Sequence, residues 1–326
     1  MFATTCLRQI GGGVIMENKK LTEQEKTLLQ KISDLHEIPQ VGVFNIRRNG
    51  KLMARNVDNE INIVSKKDKD GIDIIVRDNT KNKSVHIPVL LSHEGFEDMV
   101  YNDFYIGDNC DVLIVAGCGI HNASAKKSRH NGIHSFHIGN NSHVKYVERH
   151  LGTGKSRAKR ILDPVTTVEI KKNSVFEMET VQLSGVSSAK RITKAVVGEN
   201  SSLVINEKIL TENSAHASTN FEVVLAGDNS KVDVVSHAVA KDKSKQNFVS
   251  KVVGKAKCFG HVECDGILCE QAQISSTPQI IAQNRDASLV HEAAIGKISQ
   301  DQQNKLMTMG LTAQEAEKAI INGFLK

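Results

Sequence analysis

Ala226-Gly227-Asp228-Asn229, followed by Ser230-Lys231-Val232-Asp233-Val234-Val235, places an apolar residue, a tight turn and a short strand of alternating apolar and polar residues in direct succession. The same phrase recurs at Ile106-Gly107-Asp108-Asn109, Ile138-Gly139-Asn140-Asn141, Ile170-Lys171-Lys172-Asn173, Val197-Gly198-Glu199-Asn200, Val253-Gly254-Lys255-Ala256 and Ile281-Ala282-Gln283-Asn284. Followed at the Asn position, the phrase steps through Asn109, Asn141, Asn173, Asn200, Asn229, Lys257 and Asn284, with Lys257 standing in for Asn once. The period is roughly thirty residues, within the range of solenoid repeats. Gly and Asn tolerate positive φ, so each phrase marks a point where the chain can reverse. Runs such as Ser202-Leu203-Val204-Ile205 fit half-buried strands. A fixed period of strands and turns predicts a mainly β chain wound as a parallel β-helix, one unit per coil. The alternative is a β-sandwich of hairpins, which calls for tighter turn spacing.

Around this core, residues 17–41 hold a short N-terminal helical segment, with Leu21, Leu28, Leu29, Ile32 and Leu35 on one face and Thr22 ahead of Glu23 and Glu25. The β-helix is expected over 42–294. A C-terminal helical region follows over 295–326, with Thr312 as an N-cap. Residues 1–16 lack the apolar core of a secretory signal and read as a disordered leader.

Composition narrows the class. The 326 residues are 40% hydrophobic and 4% aromatic, with no Trp and four Pro, which predicts a long narrow core with few large rings. The net charge of +5 is dispersed. Lys66, Lys67 and Lys69 alternate with Asp68 and Asp70, which describes a solvated loop better than a nucleic-acid groove. No apolar run is long enough for a membrane-spanning helix. Six irregularly spaced Cys do not form a disulfide framework, so the expected setting is the reducing cytoplasm, with thiols free for sulfur or metal chemistry.

Chemistry-bearing residues cluster twice. Gly117-Cys118-Gly119-Ile120-His121 is followed by His130, His134, His137, His143 and His150. A Cys between two Gly is sterically open to a partner, imidazoles nearby can favour its thiolate, and His121, His130 and His134 offer donors for an accessory metal. His134 and His137 point to opposite faces of a strand, so no single flat site holds all six His. The bland reading is surface His beside a small buried Cys. The second cluster is Glu263-Cys264-Asp265-Gly266-Ile267-Leu268 with Val290-His291-Glu292-Ala293. The interval from Cys264 to His291 equals that from Lys257 to Asn284, and the interval from Cys264 to Glu292 equals that from Asn229 to Lys257, so each lies one local repeat step away. Adjacent coils therefore bring the thiol near the imidazole or the carboxylate, and a one-residue change of register exchanges the two. Such a donor set suits iron or zinc. Otherwise Cys264 is a core thiol and His291-Glu292 ends the last strand.

Val290-His291-Glu292-Ala293, Gly296-Lys297-Ile298, Asp301-Gln302, Gly310-Leu311, Glu315-Ala316 and Ile320-Ile321-Asn322-Gly323-Phe324 together resemble the carboxy-terminal signature of the SufB/SufD family, scaffolds of the SUF iron–sulfur cluster assembly machinery. The likeness runs through residues 40–325. It implies a right-handed parallel β-helix and a cluster-assembly scaffold that is not itself an enzyme. By motif, Cys264 matches the SufB thiol of the nascent cluster, Glu292 the SufB carboxylate and His291 the SufD histidine. Cys118 matches the SufB thiol that accepts sulfur, although Gly-Ile-His-Asn departs from the usual SufB residues after it. The only amino-terminal Cys, Cys6, cannot supply the paired motif of some SufB proteins, so the chain resembles a minimal single-scaffold form. The resemblance further implies a transient cluster at a homodimer interface, a SufC-like ABC ATPase docked on the helical tail, a sulfur donor and recipient apo-proteins.

No ATP site is expected in this chain. Gly152-Thr153-Gly154-Lys155-Ser156 lacks the first Gly of a phosphate loop, Arg149 standing in its place. Two other classes remain as alternatives. A carbohydrate-active or polymer-binding β-helix calls for aromatic platforms and recurring carboxylate pairs, and a His-rich metal-storage protein calls for tight zinc binding without Cys264.

Overall fold

A computed structural model describes residues 9–10, 13–15, 20–154, 159–182 and 185–326. Fifty-nine per cent of the chain is strand, wound as a β-solenoid of about eight turns. Each coil contributes one strand to a 12-stranded sheet that ends at Ser288–Lys297 and one to a 10-stranded sheet that ends at Gln273–Ala282. Pairing from Lys81–Leu91 onward is parallel, and antiparallel pairs are confined to the amino-terminal strands.

The Asn turns build the period physically. Asn79, Asn109, Asn141, Asn173, Asn200 and Asn229 all adopt left-handed backbone, with φ between 53° and 64°. Their amides hydrogen-bond from coil to coil, Asn109 to Asn79 at 3.2 Å, Asn141 to Asn109 at 3.3 Å, Asn173 to Asn141 at 3.1 Å and Asn229 to Asn200 at 2.9 Å. One residue later a second ladder runs inside it: the backbone N–H of Cys110, Ser142 and Ser174 donates to the hydroxyl of Ser142, Ser174 and Ser201. From Cys110 to Ser201 the buried turn N–H groups are thus satisfied by the protein itself, whereas the Ser230 hydroxyl one coil on has no partner among the described residues.

Inward residues alternate along every strand and fill one continuous core. Phe104, Phe136, Tyr146, Phe176, Phe221 and Phe248 are gathered there, whereas Tyr105 and Phe259 are exposed. Phe104 stacks on Phe136 at 4.1 Å between centroids, and Tyr146 and Phe176 pack against Phe136.

The seventh turn departs from the predicted step. Phe259 pairs with Ser288, so the last step is longer than the interval from Lys257 to Asn284 that the turn phrase predicts. Asn284 precedes the ladder position and stays outside the left-handed region. The longer turn sets the register of the candidate site.

Two helical elements flank the coils. Glu23–Ser33 starts on a capping box between Thr22 and Glu25 and lays Leu28, Leu29 and Ile32 on the outer face of the 12-stranded sheet. After the last strand come Gln300–Thr308 and Ala313–Phe324, the second capped by Thr312 and Glu315. It is fastened to the sheet by Lys241–Glu317 at 2.6 Å and by the buried Ala316 and Ile321. Most of the expected 1–16 leader lies outside the described residues; Gln9–Ile10 and Gly13–Ile15 form short antiparallel strands. Cys6, Lys155 and Ser156 also lie outside them, and Gly152–Gly154 closes the strand His143–Gly154.

Candidate functional site

Cys118 sits inside the solenoid, not on an open edge. It is 2% exposed, and burial, with Asp98 and Glu148 nearby, pushes its thiol well above the usual range. Its flanking glycines serve a different purpose from access. A Cβ on Gly117 would lie 2.5 Å from the Ile32 carbonyl oxygen, and one on Gly119 would lie 3.2 Å from Leu28. The small residues are the seat of helix Glu23–Ser33, which seals the outer face of this strand.

The six His divide by strand alternation. His130, His134 and His150 turn inward with Cys118 and line a cavity of about 20 Å³, room for one water-sized group. His121 turns outward to Thr153 at 3.0 Å, so the structure does not bring it to His130 and His134. His137 and His143 face outward onto Glu169 and Glu177. Inside, Nδ1 of His130 meets Asp98 at 3.1 Å. Tyr146 donates to Glu148 at 3.0 Å, so it accepts from Nδ1–H of His134 at 2.7 Å. Burial lowers the His134 pKa to about 4 and also lowers that of His150.

A polar row runs from this cavity toward Cys264. Register places Glu148, Thr180, Glu207, Ser236 and Cys264 side by side on successive strands of the 12-stranded sheet, all facing inward. Arg191, from the facing sheet, binds Glu148 and lies 3.5 Å from Glu207. Glu207 accepts from Thr219 and Ser236, each at 2.9 Å. Burial favours the neutral acid at both carboxylates. At Glu148 the charge of Arg191, helped by His150 and His134, overcomes it and holds the carboxyl well below the usual range; at Glu207 burial prevails and the pKa is raised. One interior ion pair with a less acidic neighbour results. Sequence reasoning did not find Glu148, Arg191, Glu207 or Ser236.

At the carboxy end the solenoid is open. Gln273–Ala282 and Ser288–Lys297 are the last strands of their sheets, and each has one unpaired edge. Cys264 pairs with Ala293 in register, Val262 with His291 and Glu263 with Glu292. The longer step thereby decides between the two sequence alternatives. His291 faces inward with Cys264, on the next strand and offset along it, whereas Glu292 faces outward beside Glu263. Cys264 and Glu292 of one chain therefore lie on opposite faces of the sheet, a correction to their expected proximity. Burial pushes the Cys264 thiol up to about 12. Both ring nitrogens of His291 are buried without a hydrogen-bond partner, and the hydroxyl of Ser276 in the facing sheet meets the Cys264 thiol. An orphaned buried polar atom costs about 1–3 kcal/mol, and His291 carries two of them on one ring.

Residues 102–324 match the family described as "SUF system FeS cluster assembly, SufBD core domain". Over 258 residues the chain is 30% identical to an iron-sulfur cluster assembly SufBD family protein of Pyrococcus horikoshii, covering 78% of this chain and 77% of that one. It is 24% identical over 269 residues to one from Methanocaldococcus jannaschii, covering 81% and 84%. A third, from Archaeoglobus fulgidus, is 27% identical over 229 residues, 70% of this chain and 60% of its own length. With the solenoid, the helical tail and these matches in agreement, the chain belongs to the SufBD family of iron–sulfur cluster assembly proteins.

Proposed function

We propose that this chain is a single-scaffold protein of cytoplasmic iron–sulfur cluster assembly, in which two copies meet at their open carboxy ends and build a transient cluster between them. The observation that carries this reading is His291, buried with two partnerless nitrogens beside Cys264 at an end where both sheets stop. Edge strands that remain long and exposed invite pairing with another chain, and Ile280, Val290 and Ile295 add apolar surface there. In the paired form Cys264 and His291 ligate from the interior side. Glu292, on the outer face of its own chain, serves the cluster from the partner copy or after the terminal strand shifts. Thiolate holds iron firmly, while carboxylate and imidazole hold it less so, which suits a cluster meant for recipient apo-proteins.

The thiolate of Cys118, or directly that of Cys264, attacks the outer sulfur of a persulfide on the donor protein, and the donor leaves as its own thiolate. Five strand steps, on the order of 24 Å, separate the strands that carry the two thiols, so direct exchange between them within one chain is out of reach. The Glu148–Ser236 row between them holds no thiol, so sulfur taken up at Cys118 passes on only to a thiol of a partner chain or, with two electrons from a thiol reductant, as free sulfide. Entry from a donor protein requires access to the inward cavity lined by Cys118, His130, Gly132 and His134, while helix Glu23–Ser33 holds the opposite face of the strand through Gly117 and Gly119. The ATPase partner docks on the tail, where Gln300–Thr308 has no buried residue and Met307 and Met309 stand exposed. The catalytic work of ATP hydrolysis belongs to that partner.

The test is anaerobic loading with iron and sulfide, followed by visible absorption and by the mass of the assembly in solution. The wild type is expected to gain cluster absorption as a dimer, and Cys264→Ser, His291→Ala and Glu292→Ala to lose most of it while remaining folded. Full loading of Cys264→Ser, or loading of a strict monomer, overturns the proposal.

A further inference from the structure

On the outer face of the 12-stranded sheet, away from both cysteines, three donors converge. His237 leaves the strand Ser230–Ala240, and Glu263 and Asp265 leave the neighbouring strand Cys258–Leu268, with His237 and Asp265 direct partners in register. One ligand atom of each lies within 4.8 Å of the others, and all three residues are half-buried. They are the one such trio of His, Cys, Asp or Glu donors among the described residues.

Three other outward His residues on the strands are already engaged by carboxylates: His137 meets Glu169 at 3.3 Å, His143 meets Glu177 at 2.8 Å and His261 meets Asp233 at 2.8 Å. His237 differs. Its ring packs against Phe324 at 4.7 Å between centroids, and among the described residues it makes no hydrogen bond or ion pair with either neighbouring carboxylate. The donors face one another across a gap. Metal–ligand bonds of about 2.1 Å would draw such atoms to roughly 3–4 Å apart, a small inward movement from the observed arrangement. Nearby cations are committed elsewhere, Lys241 to Glu317 and Lys208 to the carbonyl oxygen of Lys326, so neither carboxylate is neutralised by Lys or Arg among the described residues. Asp265 accepts the Ala294 N–H at 3.1 Å, which fixes one oxygen and leaves the other for a ligand. Glu292 is the register partner of Glu263 on the next strand, on the same face.

We infer that His237, Glu263 and Asp265 form a divalent-cation site, and that Fe²⁺ held there is the supply for the cluster carboxylate Glu292. The choice of iron rests on the scaffold reading; the site itself rests on the donor geometry. Two carboxylates and one imidazole favour a hard or borderline divalent ion and hold it loosely, as a loading site requires. Phe324 closes one side, so occupancy is also felt by the helix Ala313–Phe324.

The experiment is anaerobic equilibrium dialysis of the full chain against Fe²⁺ without sulfur, then addition at limiting iron of a persulfide, whose sulfane sulfur takes two electrons from two Fe²⁺ as it becomes sulfide. Wild type and Cys264→Ser are expected to retain about one Fe²⁺ per chain at this site. The double variant His237→Ala, Asp265→Asn is expected to bind it at least tenfold more weakly, and Glu263→Gln, a milder change, to weaken it in the same direction. At limiting iron the double variant forms cluster more slowly, and at excess iron it matches wild type. Unchanged Fe²⁺ binding in the folded double variant overturns the site even if clusters still form. Fe²⁺ bound through His237 with no cluster formed in the wild type leaves the site standing and overturns the scaffold reading and the assignment of iron as its cargo.

Discussion

Cys118 and Cys264 lie in one interior and on one sheet, yet their surroundings are opposite in kind. Around Cys118 every inward imidazole has a polar partner, the charge of Glu148 is met by Arg191, and a helix covers the outer face. Around Cys264 the next strand is the last, and His291 has none. Single orphaned atoms occur in the closed interior as well, at Asn102, Thr180 and Thr193, but His291 carries two on one ring at the open end. The difference supports the proposal that the cluster is built at the carboxy end, and it describes the Cys118 region as closed.

The comparison is broken most severely at Arg191. Arg191→Met leaves Glu148 charged, buried and unpaired, for an expected loss of about 3–5 kcal/mol in urea unfolding, whereas Arg191→Met with Glu148→Gln recovers much of it. At the open end the same logic reverses sign. His291→Leu removes two unsatisfied atoms and is expected to leave the isolated chain as stable or more so, while abolishing cluster loading. A His291→Leu chain less stable than wild type by several kcal/mol would show that this imidazole already has a partner.

Acid sharpens the contrast further. The folded pKa of His134 is near 4, below its ordinary value of 6.5, so between these values the unfolded chain binds the extra proton and stability falls as pH falls. The expected loss across that window is on the order of 3 kcal/mol for His134. His150 acts in the same direction. Glu148, whose pKa is depressed, contributes stability above the usual carboxylate range that is lost only at still lower pH. His134→Gln should flatten the window from pH 6.5 to 4 in a series of melts; an unchanged profile would place the acid sensitivity elsewhere.

The coil period was legible because Asn at positive φ is a backbone requirement that the sequence displays directly. The register of the last coil was not, because Asn284 has the residue type of the ladder without its conformation. Gly117 and Gly119 misled for a related reason: two glycines around a Cys look the same whether they admit a partner or seat a helix. The polar row was hidden in plain sight. The intervals from Glu148 through Thr180, Glu207 and Ser236 to Cys264 equal, one for one, those from Asn141 through Asn173, Asn200 and Asn229 to Lys257. Adding the turn spacing backward from Cys264 reaches each of them. Arg191 lies on the other sheet, and no count along one ladder finds it.

The seal over Cys118 offers a smaller perturbation. Gly117→Ala sets a methyl group against the Ile32 carbonyl and should cost about 1–3 kcal/mol, spent in displacing helix Glu23–Ser33. Maleimide labelling followed by peptide mass analysis is expected to show Cys118 reacting faster than in wild type, with Cys264 unchanged. Equal acceleration at both thiols would mean that the variant loosens the whole solenoid and not the seal alone.

The gentlest test leaves the sheet untouched. Thr22 accepts from the N–H of Glu25, and Glu25 in turn accepts from the N–H of Thr22 at 2.9 Å and from the hydroxyl of Ser92 at 2.9 Å, so this capping box also ties the helix start to the coil beneath it. Thr22→Ala removes one cap acceptor, worth about 1 kcal/mol. If this helix holds the strand Asp111–Asn122 closed over the inward Cys118, that energy appears in the opening equilibrium, and labelling of Cys118 accelerates by up to about fivefold while Cys264 keeps its rate. An unchanged Cys118 rate would place its access route through the cavity side at His130 and Gly132, and the helix would then be a structural cover with no part in sulfur entry.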